Sequence, residues 1–208
     1  MTSRLLIFAK HPEPGRCKTR LIPTLGEAGA AELHAVLTAR TLSQVARLPG
    51  NVSVDVCYTG LDASWFQQQC DAHELAAELL PQVEGDLGAR LLAGFGRAFA
   101  NGMKRVIAIG TDCPQLSAEI ICSSLARLEE SEVVLGPAAD GGYYLLGMTA
   151  PVPELFEGIA WGSCSVLEQT LAVLERLSMS VSLLPVLSDI DRPEDLALCR
   201  ELGLPVPG

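Results

Sequence analysis

The sequence predicts an α/β fold, a mainly parallel sheet covered by helices on both faces, in a single domain spanning residues 1–208. The length of 208 residues suits one well-buried domain and is short for two. A hydrophobic content of 49% with 19% charged residues is typical of a globular chain. Apolar strand-like runs also alternate with helical patterns of ten or more residues, which indicates β-α-β units.

The elements of the first half follow from their apolar patterns. Residues 4–9 form a compact apolar run ended by loop residues, which predicts a buried strand. Residues 27–48 have the apolar spacing of a helix, and the alternating, β-branched residues 52–58 predict a second strand. The remaining elements of this half are two helices and a central strand, at 62–71, 87–99 and 104–110.

The second half begins with a helix predicted over 117–128 and capped by Ser117. Two strands are expected at 132–138 and 142–148. The last elements are a helix at 163–177, a strand at 181–186 weakened by Pro185, and a helix at 193–202 with Pro193 in its first turn. In such sheets, ligands bind beyond the carboxyl ends of the strands, so the loops after residues 9, 110 and 148 and near 189 are the ones that matter.

Charge and cysteine usage restrict the function classes. The net charge is −10 and the pI is near 4.7, which argues against a nucleic-acid or anionic-membrane partner. Seven cysteines occur without any C-x-x-C pair, which favours free thiols in a reducing compartment. The N-terminal apolar run is too short for a signal peptide, and no stretch approaches a membrane span. We therefore expect a cytoplasmic protein.

The loop "HPEPGRCKTR" at 11–20 combines two prolines, a glycine and three cations. It is not a Walker A loop, because Cys17 stands where the glycine before the Lys-Thr pair should be. Gly15 allows close backbone approach, and Arg16, Lys18 and Arg20 suit an anionic ligand.

Three aspartates follow strands. Asp112, in "GTDCPQLS", could hold Mg²⁺ or Mn²⁺, which take oxygen ligands, or could form an Asx turn or cap the next helix. Asp189 and Asp191 alternate, so an extended backbone sends them to opposite faces and only one should reach a shared metal. Asp191 could instead cap the helix opened by Pro193, while Asp195 complements that helix N-terminus.

Two glycine-containing loops have alternative interpretations. Asp140, Gly141 and Gly142 could simply form a hairpin turn, or a glycine-lined wall for a substrate with Asp140 contacting hydroxyls. Gly88 and Arg90, in "EGDLGAR", could belong to a helix cap or to a nucleotide-contacting loop.

Isolated residues give weaker signals. Trp161 could form the floor of an acceptor pocket or serve only in packing. His34 lies in a helical segment, where we expect it on the surface. Cys17 lies between Arg16 and Lys18, which should lower the pKa of its thiol without making it a nucleophile. No Ser-His-Asp or Cys-His arrangement can be argued.

Taken together, "FAKHPEPGRCKTRL", "GDLGAR", "IGTDCPQLS", "GPAADGGYYLLG" and "LSDIDRPEDL" resemble a bacterial family of small candidate glycosyltransferases of the GT-A type. Some members are linked to arsenosugar biosynthesis or to radical-SAM and selenium gene neighbourhoods. The chain is more distantly similar to guanylyltransferases of molybdenum-cofactor and phospholactate metabolism. The resemblance implies the Rossmann-like nucleotide-diphospho-sugar transferase fold over nearly the whole chain, with a mixed sheet.

The resemblance also implies site roles. Lys18 and Arg20 match the phosphate-contacting motif, Asp112 matches the metal-binding aspartate, and Asp189 and Asp191 match the C-terminal acidic motif. The expected catalytic residues are Lys18, Arg20, Asp112 and Asp140, and the metal ligands are Asp112, Asp189 and Asp191. The expected nucleotide or phosphate contacts are Gly15, Arg16, Lys18, Arg20, Gly88, Arg90 and Thr111. The expected acceptor contacts are Asp140, Gly141, Gly142, Tyr143 and Trp161. Trp161-Gly162-Ser163 departs from the Trp-Ser-Thr expected of the family.

The resulting expectation is a transferase dependent on Mg²⁺ or Mn²⁺ that moves a glycosyl group from a nucleotide sugar to a small-molecule acceptor. One alternative is nucleotidyl transfer, with a nucleoside triphosphate as donor and pyrophosphate released. An alternative of another class is a non-catalytic nucleotide-binding or sensing protein. The sequence does not determine the oligomeric state, and a homo-oligomer is compatible with it. A dinucleotide-dependent oxidoreductase lacks G-x-G-x-x-G after the first strand.

Overall fold

A computed structural model describes residues 2–60 and 62–207. Within these residues, seven strands form one sheet: β1 (Ser3–Lys10), β2 (Val52–Thr59), β3 (Ala77–Pro81), β4 (Arg105–Ile109), β5 (Val133–Pro137), β6 (Tyr143–Met148) and β7 (Val181–Leu183). The α-helices of the described residues are α1 (Ile22–Val45), α2 (Ser64–Ala72), α3 (Leu87–Ala100), α4 (Ala118–Arg127), α5 (Val166–Arg176) and α6 (Leu196–Glu201). Short 3₁₀ helices lie at Thr19–Leu21, Pro153–Phe156 and Pro193–Asp195.

The strand order is β3-β2-β1-β4-β6-β5-β7. Strands β3, β2, β1 and β4 are parallel, β6 is antiparallel to both of its neighbours, and β7 is parallel to β5. Strand β6 runs backwards because a short hairpin joins it to β5, whereas a parallel neighbour needs a long crossover. The mixed, mostly parallel sheet is thus confirmed.

Helices cover both faces of the sheet, also as predicted. Successive side chains of β1 point to opposite faces. Leu5 packs with Phe66 of α2 and residues of α4 on one face, whereas Leu6 packs with Phe95 of α3 on the other. The near-continuous apolar sequence of β1 follows from this burial on two sides.

The sequence did not predict β3. This strand lies at the edge of the sheet, is only partly buried, contains Glu78 and ends on Pro81, so it lacks the apolar signature of the central strands. At the opposite edge, β7 ends at Leu183 and not at residue 186, because Pro185 cannot donate to a strand ladder.

The largest differences in helix boundaries are three. Helix α1 begins at Ile22 and ends at Val45, with a break at Gly26, whose φ of 70° is not helical. Helix α5 begins at Val166, and the last predicted helix is divided into a 3₁₀ turn and α6. The cap at Ser117 is confirmed, since its side chain accepts a hydrogen bond from the backbone N–H of Ile120. Among the described residues, no helix combines the length and apolar character needed to cross a membrane.

The topology places the carboxyl ends of β1 and β4 beside the first residue of β6. The loops that carry the candidate residues therefore meet at one edge of the sheet, as expected for an open α/β sheet.

Candidate active site

A cavity of about 260 Å³ lies at this edge, next to the end of β4. Asp112 and Asp189 line it together with Thr111, and its apolar wall includes Phe8, Leu91 and Tyr143. It thus combines an apolar wall with a few polar groups, as small-molecule sites do.

Lys18 joins three loops of this edge. Its backbone is left-handed, with a φ of 48°, and its side chain is 4% exposed. The ammonium Nζ lies 2.6 Å from Oδ1 of Asp112 and donates to the carbonyl of Ile190 at 2.5 Å. Two of its three hydrogens are therefore directed at protein groups.

Asp112 has an inner and an outer side. Its Oδ1 is buried, yet 49% of the side chain is exposed, so the exposed surface lies on its other atoms, Oδ2 among them. Burial raises the pKa of Asp112, but the charge of Lys18 and the contact with His34 oppose it and hold that pKa well below its usual range. The carboxylate is therefore ionised at neutral pH.

His34 is buried beside Asp112, and its predicted surface position is wrong. Nε2 lies 3.0 Å from the carbonyl oxygen of Lys10, and Nδ1 lies 3.7 Å from Oδ1 of Asp112 with no hydrogen-bond partner. The signal was available in the sequence, because the apolar residues Ala30 and Leu37 lie four residues before and three residues after His34, on the same helical face.

Asp189 and Asp191 diverge, as their alternation predicts. Asp189 lines the cavity, and burial, followed by the charges of Asp112 and Asp140, raises its pKa to about 7. Asp191 instead forms an ion pair with Arg20.

The expected cap at Asp191 is wrong. The carboxylate of Asp195 accepts hydrogen bonds from the backbone N–H groups of Asp191, at 2.9 Å, and Arg192, at 2.7 Å. Asp195 therefore stabilises the start of the last helical segment, which agrees with its expected role.

The carboxylates at the cavity fit a hard divalent cation. Within residues 2–60 and 62–207, no group of three His, Cys, Asp or Glu side chains is arranged to hold a metal ion. Asp112 and Asp189 offer oxygen ligands, and Mg²⁺ or Mn²⁺ commonly completes its coordination with substrate phosphates and water. Asp191, expected as a further ligand, is not brought to them.

Cationic side chains at the end of β1 and in the following loop contact other groups of that loop. Gly15 is left-handed, with a φ of 76°, and the ammonium of Lys10 donates to the Arg16 carbonyl at 2.5 Å. The Arg16 side chain is exposed, 3.3 Å from Glu13. Burial raises the pKa of the Cys17 thiol, so the expected lowering is wrong: Lys10 and Lys18 oppose burial without overcoming it.

The segment 138–142 is a tight turn between β5 and β6, as the simpler interpretation proposed. The Asp140 carboxylate accepts a hydrogen bond from the backbone N–H of Gly142 at 2.9 Å. Gly141 is left-handed, and a Cβ there would lie 2.0 Å from the carbonyl oxygen of Cys164. Both observations give this Asp-Gly-Gly sequence a structural reason.

Gly88 lets the first turn of α3 approach Trp161. A Cβ on Gly88 would lie 2.4 Å from the indole Nε1 and 2.8 Å from the carbonyl oxygen of Phe156. The indole packs edge-on against Tyr143, with ring centroids 6.3 Å apart. Arg90 Nε donates to the carbonyl of Gly85. Trp161 is thus fixed beside the cavity by packing on two sides.

Residues 41–163 match the model of a bacterial family described as uncharacterized proteins conserved in bacteria, DUF2064. The chain belongs to the DUF2064 family. The matched segment includes Asp112, Asp140 and Trp161, whereas Lys18 and Asp189 lie outside it. A comparison with curated proteins finds no match.

Solved structures extend the DUF2064 assignment to the fold. A candidate nucleotide-diphospho-sugar transferase from Desulfovibrio desulfuricans is 33% identical, with a TM-score of 0.83, covering 92% of this chain and 83% of that one. The 4-diphosphocytidyl-2C-methyl-D-erythritol synthase of Anaerococcus prevotii is 11% identical, with a TM-score of 0.65, covering 97% and 95%.

Glucosyl-3-phosphoglycerate synthase of Mycobacterium tuberculosis, solved with Mn²⁺, UDP and glucosyl-3-phosphoglycerate, is 14% identical, with a TM-score of 0.57 and coverage of 98% and 81%. The DUF2064 chain thus has the nucleotide-diphospho-sugar transferase fold.

Proposed function

We propose that the protein is a divalent-metal-dependent transferase that moves a glycosyl group from a nucleotide sugar to a small-molecule acceptor. The observation that carries this proposal is that Asp112 and Asp189 line one cavity, while the buried Lys18 forms an ion pair with Asp112. Arg16 and Arg20 belong to the same loop as Lys18. The 33% identical neighbour, itself a candidate nucleotide-diphospho-sugar transferase, supports it.

Asp112 and Asp189 would hold Mg²⁺ or Mn²⁺. When bound, the cation neutralises negative charge on the donor's diphosphate. Arg16 and Arg20 would add positive charge for the departing phosphate, and Lys18 would add its charge from the buried side of Asp112. The buried Thr111, with Gly15, Gly88 and Arg90, completes the proposed nucleotide contacts.

The acceptor would approach from the side of Tyr143 and Trp161, past the turn formed by Asp140, Gly141 and Gly142. In the proposed reaction, the bond between the sugar carbon and the diphosphate oxygen breaks, and an acceptor oxygen forms the new bond to that carbon. The nucleoside diphosphate leaves with the electron pair. Asp140, close enough for its charge to raise the pKa of Asp189, is our candidate to take the acceptor's proton.

Nucleotidyl transfer is a second candidate, favoured by solved neighbours that include a synthetase complexed with CTP and a cytidylyltransferase. The same carboxylates and cations would then act on a nucleoside triphosphate, and pyrophosphate would leave. Both reactions would need a phosphate chain beside Asp112, so the lining of the cavity fits either donor.

Product analysis discriminates them. Purified protein is incubated with Mn²⁺ and candidate donors plus pooled small-molecule acceptors, and released nucleotide and pyrophosphate are quantified. Glycosyl transfer predicts a free nucleoside diphosphate from one nucleotide sugar and no pyrophosphate. Pyrophosphate from a triphosphate would support the second candidate, and binding without release of either would favour a nucleotide sensor.

We place the protein in the cytoplasm, because its cysteines are free thiols.

A further inference from the structure

The cavity at the candidate site has a polar end and an apolar wall. Thr111, Asp112 and Asp189 form the polar end, at the end of β4 and after β7. The apolar wall consists of aliphatic and aromatic residues from β1, α3 and β6: Phe8, Leu87, Leu91, Tyr143 and Leu146. Both surfaces enclose one space of about 260 Å³, so a ligand that fills it needs a polar end and an apolar body.

The two tyrosines of the cavity direct their hydroxyl groups into the protein. The Tyr144 hydroxyl donates to the carbonyl of Pro185 at 3.0 Å. The Tyr143 hydroxyl is buried beside Thr170 of α5, and burial raises the pKa of Tyr143. Both tyrosines therefore present ring surface to the cavity, and their polar atoms are not offered to a ligand there.

The cationic side chains of this edge of the sheet lie away from the apolar wall. Among the described residues that line the cavity there is no lysine, arginine or histidine. Arg16 and Arg20 are exposed on the loop after β1, whereas Lys18 is buried and forms an ion pair with Asp112. A phosphate or carboxylate held against the apolar wall would therefore lose water without gaining a charged partner, which is unfavourable.

We propose that the acceptor is an uncharged molecule with an apolar body, such as an alicyclic or aromatic ring, that carries the hydroxyl to be glycosylated. Its body would pack on Phe8, Leu91 and Tyr143, and its hydroxyl would face Asp112 and Asp189. The inference rests on the proposed function, because it assumes that the molecule in the cavity is the acceptor. Among acceptors of similar size, phosphorylated or carboxylated ones should bind more weakly.

Trp161 provides a signal for an occupied cavity that needs neither donor nor turnover. Its indole packs edge-on against Tyr143, with ring centroids 6.3 Å apart. Trp65, the other tryptophan of the chain, lies on α2 and is replaced by phenylalanine, so that the emission comes from Trp161 alone. The probes are benzyl alcohol and cyclohexanol, each paired with its phosphate monoester, added in Mg²⁺ and again in EDTA.

The two alcohols should change the Trp161 emission saturably, and each phosphate monoester should bind at least about tenfold more weakly than its alcohol. Leu87 is 44% exposed in the first turn of α3, so Leu87→Arg adds a cation at the cavity and should reduce this preference to less than about threefold. Leu92→Arg is the matched control, because Leu92 is 37% exposed on the same helix and is not among the described residues lining the cavity. It should keep the preference of the wild type, and urea unfolding checks the fold of each variant.

The inference is overturned if the phosphate monoesters bind as well as the alcohols, if no probe changes the emission, or if Leu92→Arg alters the preference as much as Leu87→Arg. Turnover separates this result from the proposed function. Release of a nucleoside diphosphate with phosphorylated acceptors alone would overturn the inference and leave the transferase intact. Selective binding of the alcohols without turnover of any donor would support the selectivity of the cavity and contradict the transferase.

Discussion

The Lys18 ammonium lies 2.6 Å from Oδ1 of Asp112 and joins the loop after β1 to the loop after β4. The same ammonium donates to the Ile190 carbonyl, in the segment after β7. Its left-handed backbone costs about 1 to 3 kcal/mol for a residue other than glycine. The surrounding contacts must offset that cost, so three distant segments of the chain depend on one buried cation.

Lys18→Met should weaken both the fold and the reaction. Removing one partner of a buried ion pair leaves the other uncompensated, and the half-exposed Asp112 reduces the expected loss to about 1 to 3 kcal/mol in the free energy of unfolding. Turnover should fall on the order of a hundredfold. Urea unfolding and initial rates measure the two effects, with the exposed Lys104→Met as control. Near-normal turnover of Lys18→Met would remove Lys18 from the mechanism.

Asp189→Asn and Asp191→Asn should differ in Mn²⁺ affinity. Asp189 lines the cavity with Asp112, whereas Asp191 is engaged by Arg20. We expect a loss of about tenfold or more for Asp189→Asn, the scale typical of metal-site substitutions, and a change of less than about threefold for Asp191→Asn, which lies outside the cavity. Titration of free Mn²⁺ by electron paramagnetic resonance measures both. The reverse order would show that Asp191 leaves Arg20 and reaches the cation.

The metal-free protein should lose stability as pH rises from about 4 to about 7. Burial, then the charge of Asp112, raises the pKa of Asp189 to about 7. In this window the folded state holds a proton that the unfolded state, with a carboxyl pKa of about 3.9, has released. The lowered pKa of Asp112 acts in the opposite direction, but its contribution is lost only at lower pH.

Chemical denaturation in EDTA across this range tests the prediction, with Asp189→Asn as the matched variant. The variant should show a flatter profile than the wild type. Added Mn²⁺ should stabilise the wild type most above the pKa of Asp189, where both carboxylates are ionised. Superimposable profiles for the two proteins would contradict the assigned environment of Asp189.

Gly88→Ala should destabilise the protein, because its methyl group would overlap the Trp161 indole and the Phe156 carbonyl. Overpacking of this kind typically costs about 1 to 3 kcal/mol. Gly96, on the same helix, has open space around its Cβ position, so Gly96→Ala should be neutral or stabilising by up to about 1 kcal/mol. Urea unfolding compares the pair, and equal effects would refute the close packing of Gly88 on Trp161.

The sequence predicted those parts of the fold that local pattern determines. The apolar runs of β1 and β4 identified central strands, and the loops that follow them were expected to meet at one edge of the sheet. The alternation of Asp189 and Asp191 correctly separated the two side chains. Strand β3 was missed because an edge strand with one polar side has no continuous apolar pattern.

The contacts within the site depend on how distant segments of the chain pack together. The sequence pattern could not predict them in the same way. Nothing local to Lys18 indicates that its side chain turns inward to Asp112, since the neighbouring Arg16 and Arg20 remain exposed. The burial of His34 was within reach of a helical-spacing argument. Its contact with Asp112 was not, because it requires the placement of α1 against the end of β4.

The central claim is that a divalent cation held by Asp112 and Asp189 binds the phosphates of a nucleotide donor. The most direct measurement is thermal unfolding with UDP-, GDP-, ADP- and TDP-linked sugars and the triphosphates, each with Mn²⁺, Mg²⁺ or EDTA, for wild type and Asp112→Asn. A ligand at about a hundred times its Kd adds about 2.7 kcal/mol of stability. We predict stabilisation by at least one donor that requires the metal and is lost in Asp112→Asn. Stabilisation that persists in EDTA, or is undiminished in Asp112→Asn, would contradict the claim.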